Sequence, residues 1–474
     1  MNSRIKIRKD FTDGPLFFRI TAFALPIMMT GILQIAYNMA DNIVIGKFSG
    51  DPNALAAVGC TGSLTTLIIN LLLGLAAGTG VIVAQLYGAK DDRNLARGVH
   101  TAIVTSFFGG ILFMLIGLAV SKPALAVMGT KPELIELSTL YVRIICIGIP
   151  ANSVYNFGAA VLRATGDSKS PLIILSSTGI VNVILNLVFV IGFNMTVAGV
   201  AIATITAQYL SAITVIVVLM NKKDAPFRFE WRKLCFDRRL FLMIVRYGVP
   251  AGLQSAMFSV GNVFIASAVN SFPTTTVTAN TIVGNIDAIT YTSMNSFSQA
   301  AMTFVGQNYG AHKPERIKKS VIYCLIQVAI VGMTVSGIEL LLKEQLINLY
   351  LDKTDPLAPV VMQTASELAT LLLTAYIICG LMEVVSGTVK GMGYALSPML
   401  VSVGCICGIR IFWIFVFFPL ERLHSIIGLY LAYPISWTAA LIGMIVITVV
   451  AFRRLRRLSA SSSIGENRCA ARTK

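Results

Sequence analysis

Of the 474 residues, 55% are hydrophobic and only 13% are charged, against about 25% charged in an ordinary soluble domain. This composition excludes a water-soluble globular protein, and since one membrane-spanning helix takes about 20 apolar residues, little chain is left for a soluble domain. The formal charge of +16 suggests nucleic acid only if the basic residues gather on one surface, so their placement decides its meaning.

The basic opening, Met1 to Asp10, is followed by an apolar run too long for a signal-peptide core and without a small-residue cleavage site, so the run is expected to stay as a first span, 17 to 46. Within it Thr30, Gln34, Asn38 and Asp41 recur at steps of four, four and three on one helical face, flanked by Tyr37. An ionised carboxylate at mid-span costs about 2.5 to 3.5 kcal/mol on insertion scales. Asp41 therefore needs a partner, a proton or a cation.

Spans at 54 to 86, 97 to 121 and 133 to 160 follow, the last carrying Tyr141 and Arg143. The turn from Arg163 to Pro171 lacks the strand-to-helix context of a phosphate loop. It is expected to end one helix and start the next, with Gly166 allowing an unusual backbone and Pro171 suiting a first turn. Span 171 to 193 then sets Asn182 and Asn186 one turn apart, and span 197 to 220 supplies Thr204. With Asp41 these make a hard-oxygen set suited to a small singly charged cation. Alone, the three neutral residues would read equally well as hydrogen-bonding links between helices.

A central loop, 221 to 239, is the most basic segment, with Lys222, Lys223, Arg228, Arg232, Lys233, Arg238 and Arg239. Span 240 to 268 comes next, then span 277 to 306 with a stripe of Asp287, Tyr291, Met294 and Ser298 and with Asn295 beside it. Spans 318 to 342, 361 to 387 with Glu383, 397 to 419 with Arg410, and 425 to 451 complete twelve. Asp287 and Glu383 are expected to face a cavity, although Glu383 could instead pair with Lys390; aromatic residues and methionines suit varied apolar cations. Arg143 and Arg410 are expected to be structural, held by carboxylates or carbonyls. A basic tail, 453 to 474, is expected to be disordered from Ser459.

The basic residues concentrate in alternate segments: Arg4, Lys6, Arg8 and Lys9, then Lys90, Arg93 and Arg97, then Arg163 and Lys169, then the central loop, then Lys313, Arg316, Lys318 and Lys319, then the tail. The other loops hold few, among them Lys47, Lys122, Lys131, Lys343, Lys353 and Arg422. The positive-inside rule puts both termini in the cytoplasm. The charge thus reads as orientation and attraction to anionic lipid, not as nucleic-acid binding. Eight cysteines and three histidines are scattered without metal-ligand spacing, so no cofactor is expected.

The chain repeats itself. Val83-Ala-Gln-Leu-Tyr-Gly-Ala89 returns as Val305-Gly-Gln-Asn-Tyr-Gly-Ala311, Arg163-Ala-Thr-Gly166 with Ser170-Pro171 returns as Lys390-Gly-Met-Gly393 with Ser397-Pro398, and Pro26 and Asn38 answer to Pro250 and Asn262. Three matches in one order at nearly one offset indicate duplication. Six spans per half return the chain to the same side, so the halves, 1 to 220 and 240 to 452, are parallel repeats, and such folds bind substrate between halves that rock around it. The oxygen set is not repeated: Asp41, Asn182, Asn186 and Thr204 correspond to Ile265, Ile409, Trp413 and Tyr433. Links required by the fold should persist in both copies, whereas a coupling site need exist once.

On Pro26 with Asp41, the two Gln-X-Tyr-Gly-Ala segments and the Arg163 to Pro171 turn with its second copy, the sequence resembles the multidrug and toxic compound extrusion (MATE) family over nearly its whole length. The resemblance implies an all-α membrane protein of two six-helix lobes around a central cavity. It also implies a cation site in the first lobe on Asp41, Asn182, Asn186 and Thr204, with Tyr141 as a further member. Substrate contacts are expected from Tyr37, Asp287, Tyr291, Met294 and Glu383. The implied activity is secondary antiport in the cell membrane, by a monomer that exports organic, often cationic, molecules against Na+ or H+. Some members carry a second acid where this chain has Asn186, and others an acid on the seventh helix, where Phe241 to Val269 has none, so both ions stay open. A flippase for lipid-linked saccharides would want a basic cavity, which Asp41, Asp287 and Glu383 oppose; an intramembrane enzyme lacks a catalytic constellation, and no Walker-type loop is present.

Overall fold

The computed structural model describes residues 10–51, 53–222, 225–351 and 356–472, with side chains to residue 455. Arg4, Lys6, Arg8, Lys9, Lys223 and Lys353 of the charge pattern lie outside them. Every regular element among the described residues is a helix. Twelve are long: α1 Leu16–Phe48, α2 Ala54–Gly88, α3 Asp92–Val127, α4 Pro132–Ala164, α5 Lys169–Gly192, α6 Val197–Asn221, α7 Arg238–Val269, α8 Thr274–Gly310, α9 Pro314–Leu341, α10 Ala358–Gly391, α11 Leu396–Phe417 and α12 Ile426–Leu455. All except α8 are long and apolar enough to cross a membrane by length and composition. α8 runs 37 residues but is rich in Thr, Ser and Asn.

The helices overrun the expected spans, mostly by a few residues at each end, for a local reason. Charged residues close the apolar pattern yet suit a first turn: Asp91 caps α3 by accepting the Asn94 N–H at 3.1 Å, and Asp92 sits in the first turn. Three features differ from expectation. A short helix, Lys343–Asn348, follows α9, and α5 and α11 contain π-helical stretches, Val188–Gly192, Ser402–Gly408 and Trp413–Phe417. The backbone of the last helix also continues to Arg472, where a disordered tail was expected. Extending a helix already nucleated in an apolar span costs far less than starting one.

By contacts the chain divides into two compact units, Leu25–Val83 with Asp91–Ala256, and Met1–Ala24 with Ala84–Lys90 and Met257–Lys474. In the first, glycines bring helix backbones together. A Cβ on Gly74 would overlap the Gly252 backbone, and one on Gly78 would meet Gly248 at 2.5 Å, so α2 and α7 lie in direct contact. The turn after α4 is tied down by Asp167, which accepts the Ser170 N–H at 2.9 Å and pairs with Lys222 at 2.9 Å. Burial raises the Asp167 carboxyl, but the bonds from Ser170 and Lys222 outweigh it and leave the pKa below the ordinary value. That stabilisation is present at neutral pH and lost as pH falls through the depressed value.

In the second unit α8, α9 and α10 pack against one another. Here the two copies of the Gln-X-Tyr-Gly-Ala motif meet reciprocally: a Cβ on Gly88 would overlap the Gln307 carbonyl, and one on Gly310 the Gln85 carbonyl. Gln85 also donates to the Gly391 carbonyl at 2.9 Å. Both copies are followed by a left-handed residue, Lys90 (φ 57°) and His312 (φ 54°), and both later turns hold a left-handed glycine, Gly166 (φ 94°) and Gly393 (φ 88°). Gly310→Val should lower the melting temperature in detergent, since overpacking costs roughly 1–3 kcal/mol. Gly284→Ala, with nothing within 4 Å of the added carbon, should leave it unchanged; equal effects would remove the crossing as the cause.

Candidate functional site

In the first unit α1, α5 and α6 bring Asp41, Asn186, Thr204 and Asn182 into one chain of polar contacts. Asn186 Nδ2 donates to Asp41 Oδ1 at 2.5 Å, and Thr204 Oγ1 lies 3.5 Å from Asp41 Oδ2. Asn182 Nδ2 lies 3.5 Å from Thr204 Oγ1, whose stronger bond goes to the Val200 carbonyl at 2.9 Å. Asn182 and Asn186 are buried, and the Asn186 Oδ1 has no hydrogen-bond partner. Asn186 sits just before the π-helical end of α5, a distortion that often marks functional positions. As placed, the amides donate toward the acid. A half-turn of the Asn186 amide exchanges near-isosteric N and O and would present a carbonyl oxygen instead.

The remaining members of the expected first-half set stand as follows. Tyr141 packs against the buried cluster that includes Val44, Ile45, Val190 and Val197, and lies close enough to Asp41 to interact electrostatically. Tyr37 donates to the Ser176 carbonyl at 3.2 Å, its ring over Gly179. Of the polar stripe on α1 only Asp41 enters the cluster: Thr30 bonds back to the Pro26 carbonyl at 2.7 Å, and Gln34 and Asn38 are exposed. Arg143, expected to be a structural partner, is exposed on α4.

The second unit gathers acids and aromatic rings. Asp287 on α8 accepts the Tyr376 hydroxyl at 2.9 Å. One turn on, Thr290 donates to Glu339 Oε2 at 2.6 Å, and the Glu339 Oε1 and the Ser336 hydroxyl are buried without a hydrogen-bond partner. Glu383 is buried on α10 with Ser298 Oγ 3.5 Å from its carboxylate and Lys390 within electrostatic reach. Tyr291 stacks on Phe258 at 6.1 Å, and Met294 is buried with its sulfur against Gly380. Sequence reasoning passed over Glu339, although an acid inside an apolar run was signal enough.

Arg410 is fully buried between the π-helical stretches of α11. It donates to the Asn262 amide oxygen at 2.6 Å, and its guanidinium carbon stands 4.3 Å from the Tyr433 ring centroid and 5.3 Å from that of Phe258. The expected carbonyl partner is there; the rings were not anticipated. Among the described residues no carboxylate lies within ion-pair distance of it.

Comparison with known proteins bears on both halves. The MatE family model matches residues 26–188 and again residues 250–416. The probable multidrug resistance protein YoeA of Bacillus subtilis is 26% identical over 430 residues, 89% of this chain and 91% of the relative. An FAD transporter of Shewanella oneidensis is 24% identical over 334 residues, 68% of this chain and 71% of its own. Among solved structures, an outward-facing multidrug resistance MATE family transporter of the MOP superfamily superposes with a TM-score of 0.86 at 21% identity, over 94% of this chain and 98% of the other. A MOP superfamily transporter from Pyrococcus furiosus gives 0.82 at 22% identity over 95% and 97%. These two superpositions speak for a shared fold.

Proposed function

Because the chain belongs to the MatE family of membrane transporters, matched once in each half, we propose that it is a secondary active antiporter exporting organic, often cationic, compounds in exchange for Na+ or H+. The observation that carries this reading is the joining of Asp41, Asn182, Asn186 and Thr204 from three helices in one half, while their counterparts Ile265, Ile409, Trp413 and Tyr433 offer no such oxygen set. A proton or a singly charged cation neutralises Asp41 and removes the cost of a carboxylate in a span. Ion and substrate then oppose each other's binding by equal factors, whichever is bound first. Tyr141 completes the coupling site.

Cargo would be held by Tyr37 in the first half and by Asp287, Tyr291, Met294 and Glu383 in the second, where carboxylates and rings attract cations. The acids Asp41, Asp287, Glu339 and Glu383 favour cationic cargo over an anion such as FAD, the molecule for which the Shewanella relative is named. Both termini lie in the cytoplasm, as the placement of the basic segments supports.

The test is flux of a fluorescent organic cation in proteoliposomes with Na+ and H+ gradients imposed separately. A hundredfold gradient supplies about 2.8 kcal/mol and should drive uphill accumulation through one of the two ions. Flux indifferent to both gradients would exclude antiport.

A further inference from the structure

The segment joining α6 to α7 is folded onto α3 instead of hanging free. Phe229 is buried, with its ring stacked on His100 at 5.1 Å. His100 bonds the Ala96 carbonyl at 2.7 Å through Nδ1 and meets the Glu230 backbone at 3.2 Å through Nε2. Arg228 Nε donates to the Met220 carbonyl at 3.0 Å, and the Asp237 N–H donates to Thr101 Oγ1 at 3.0 Å, with Arg97 pairing to Asp237 at 3.7 Å.

This pinning turns large apolar side chains outward. Trp231 is 60% exposed, Leu234 49% and Phe236 54%, and Leu242 on the first turns of α7 is 54% exposed. Arg232, Arg238, Arg239 and Arg246 are exposed among them. Lys233 is matched by Glu230 at 3.1 Å, but among the described residues none of these four guanidiniums has a carboxylate within ion-pair distance. A groove of about 470 Å³ opens along α7, lined by Arg238, Arg239, Leu242, Met243 and Arg246.

We propose that this groove holds the headgroup of an anionic glycerophospholipid. Its phosphodiester is bound by Arg238, Arg239 and Arg246, its acyl chain follows Leu242 and Met243, and Trp231, Leu234 and Phe236 seat the loop at the membrane surface. The mixture of chemistries selects the occupant. Nucleic acid would use the guanidiniums and the Trp231 and Phe236 rings but leave Leu234 and Leu242 bare, and an acidic protein segment would have to bring an apolar face of its own, whereas a bilayer surface offers phosphate and hydrocarbon within a few ångströms. Arginine presents a fork of donors that matches a phosphate, and tryptophan favours the headgroup level. From Arg238 to Arg246 the helix rises about 12 Å, reaching from the headgroups into the upper acyl region, from which a long arginine side chain can extend back to phosphate.

The test uses the full-length protein in a neutral detergent, with short-chain phosphatidylglycerol, short-chain phosphatidylcholine, free glycerol phosphate or RNA added, read by native mass spectrometry and by melting temperature. Phosphatidylglycerol should bind at least tenfold tighter than phosphatidylcholine and raise the melting temperature. Free glycerol phosphate should do neither. The Arg238→Gln/Arg239→Gln/Arg246→Gln protein should melt as the parent does without lipid and lose the preference, and Trp231→Ala should weaken binding of both lipids. Equal binding of the two lipids, or an undiminished preference in the triple variant, would overturn the proposal. Stabilisation by free glycerol phosphate or by RNA in place of lipid would overturn it too, assigning the arginines to another anion.

Discussion

Asp41→Asn should insert normally, still bind substrate and lose gradient-driven export, by about a hundredfold or more in uphill flux. The substitution keeps shape and size: the new amide oxygen can accept from Asn186, now 2.5 Å from Asp41 Oδ1, and the new NH2 can donate to Thr204 Oγ1, now 3.5 Å from Asp41 Oδ2, whose own proton goes to the Val200 carbonyl. It removes the one group of the cluster that can take up a proton or neutralise a cation. Folding should improve slightly, because a carboxylate within a span costs about 2.5 to 3.5 kcal/mol and an amide less. Asn186→Ala should be milder, since the carboxylate remains and only an amide is lost. Reconstituted variants with imposed Na+ and H+ gradients decide the matter. Parental uphill flux in Asp41→Asn would move coupling elsewhere, with Glu383, Asp287 and Glu339 the next acids to test.

The second large effect is expected at Arg410, as a divergence between two replacements. Its guanidinium is stabilised by a charge-assisted bond to Asn262 and by the faces of Tyr433 and Phe258, together roughly 3 to 5 kcal/mol. Against this stands the penalty of several kcal/mol for burying a charge without a counter-charge. The two nearly cancel, so the side chain's volume decides. Arg410→Ala opens a cavity and should destabilise by about 3 kcal/mol; Arg410→Met fills the space, sheds the desolvation penalty and should melt no lower than the parent. A methionine variant as unstable as the alanine one would show that the polar contacts outweigh desolvation.

The helices were legible in the sequence because every apolar run is closed by charges or by Gly and Pro. Even α8 could be read, since Asp287 alone among its residues is charged. Helix ends were less legible: Asp92 and Arg93 interrupt hydrophobicity but not a helix, and the π-helical stretches leave no mark on an apolar pattern. The oxygen set could be found because a carboxylate and two amides one turn apart are costly in hydrocarbon and stand out. Periodicity identified the face of α1 but not depth along it, which is why Gln34 and Asn38 were grouped with Asp41. The surroundings of Arg410 were beyond reach, because Phe258, Asn262, Tyr433 and Ser436 come from α7 and α12, far away in sequence.

The contrast between the acid of one half and the arginine of the other bears on stoichiometry. Arg410 lies over Tyr433, the counterpart of Thr204, and next to Ile409, the counterpart of Asn182. On the proposed reading, one copy of an ancestral unit keeps a seat that an ion enters and leaves, and the other carries a positive charge tethered to its own backbone. A tethered charge never exchanges with solution and so performs no work against a gradient. These two positions therefore supply one travelling ion per cycle, not two, and the steepest concentration ratio they could sustain is that of a single ion's electrochemical potential.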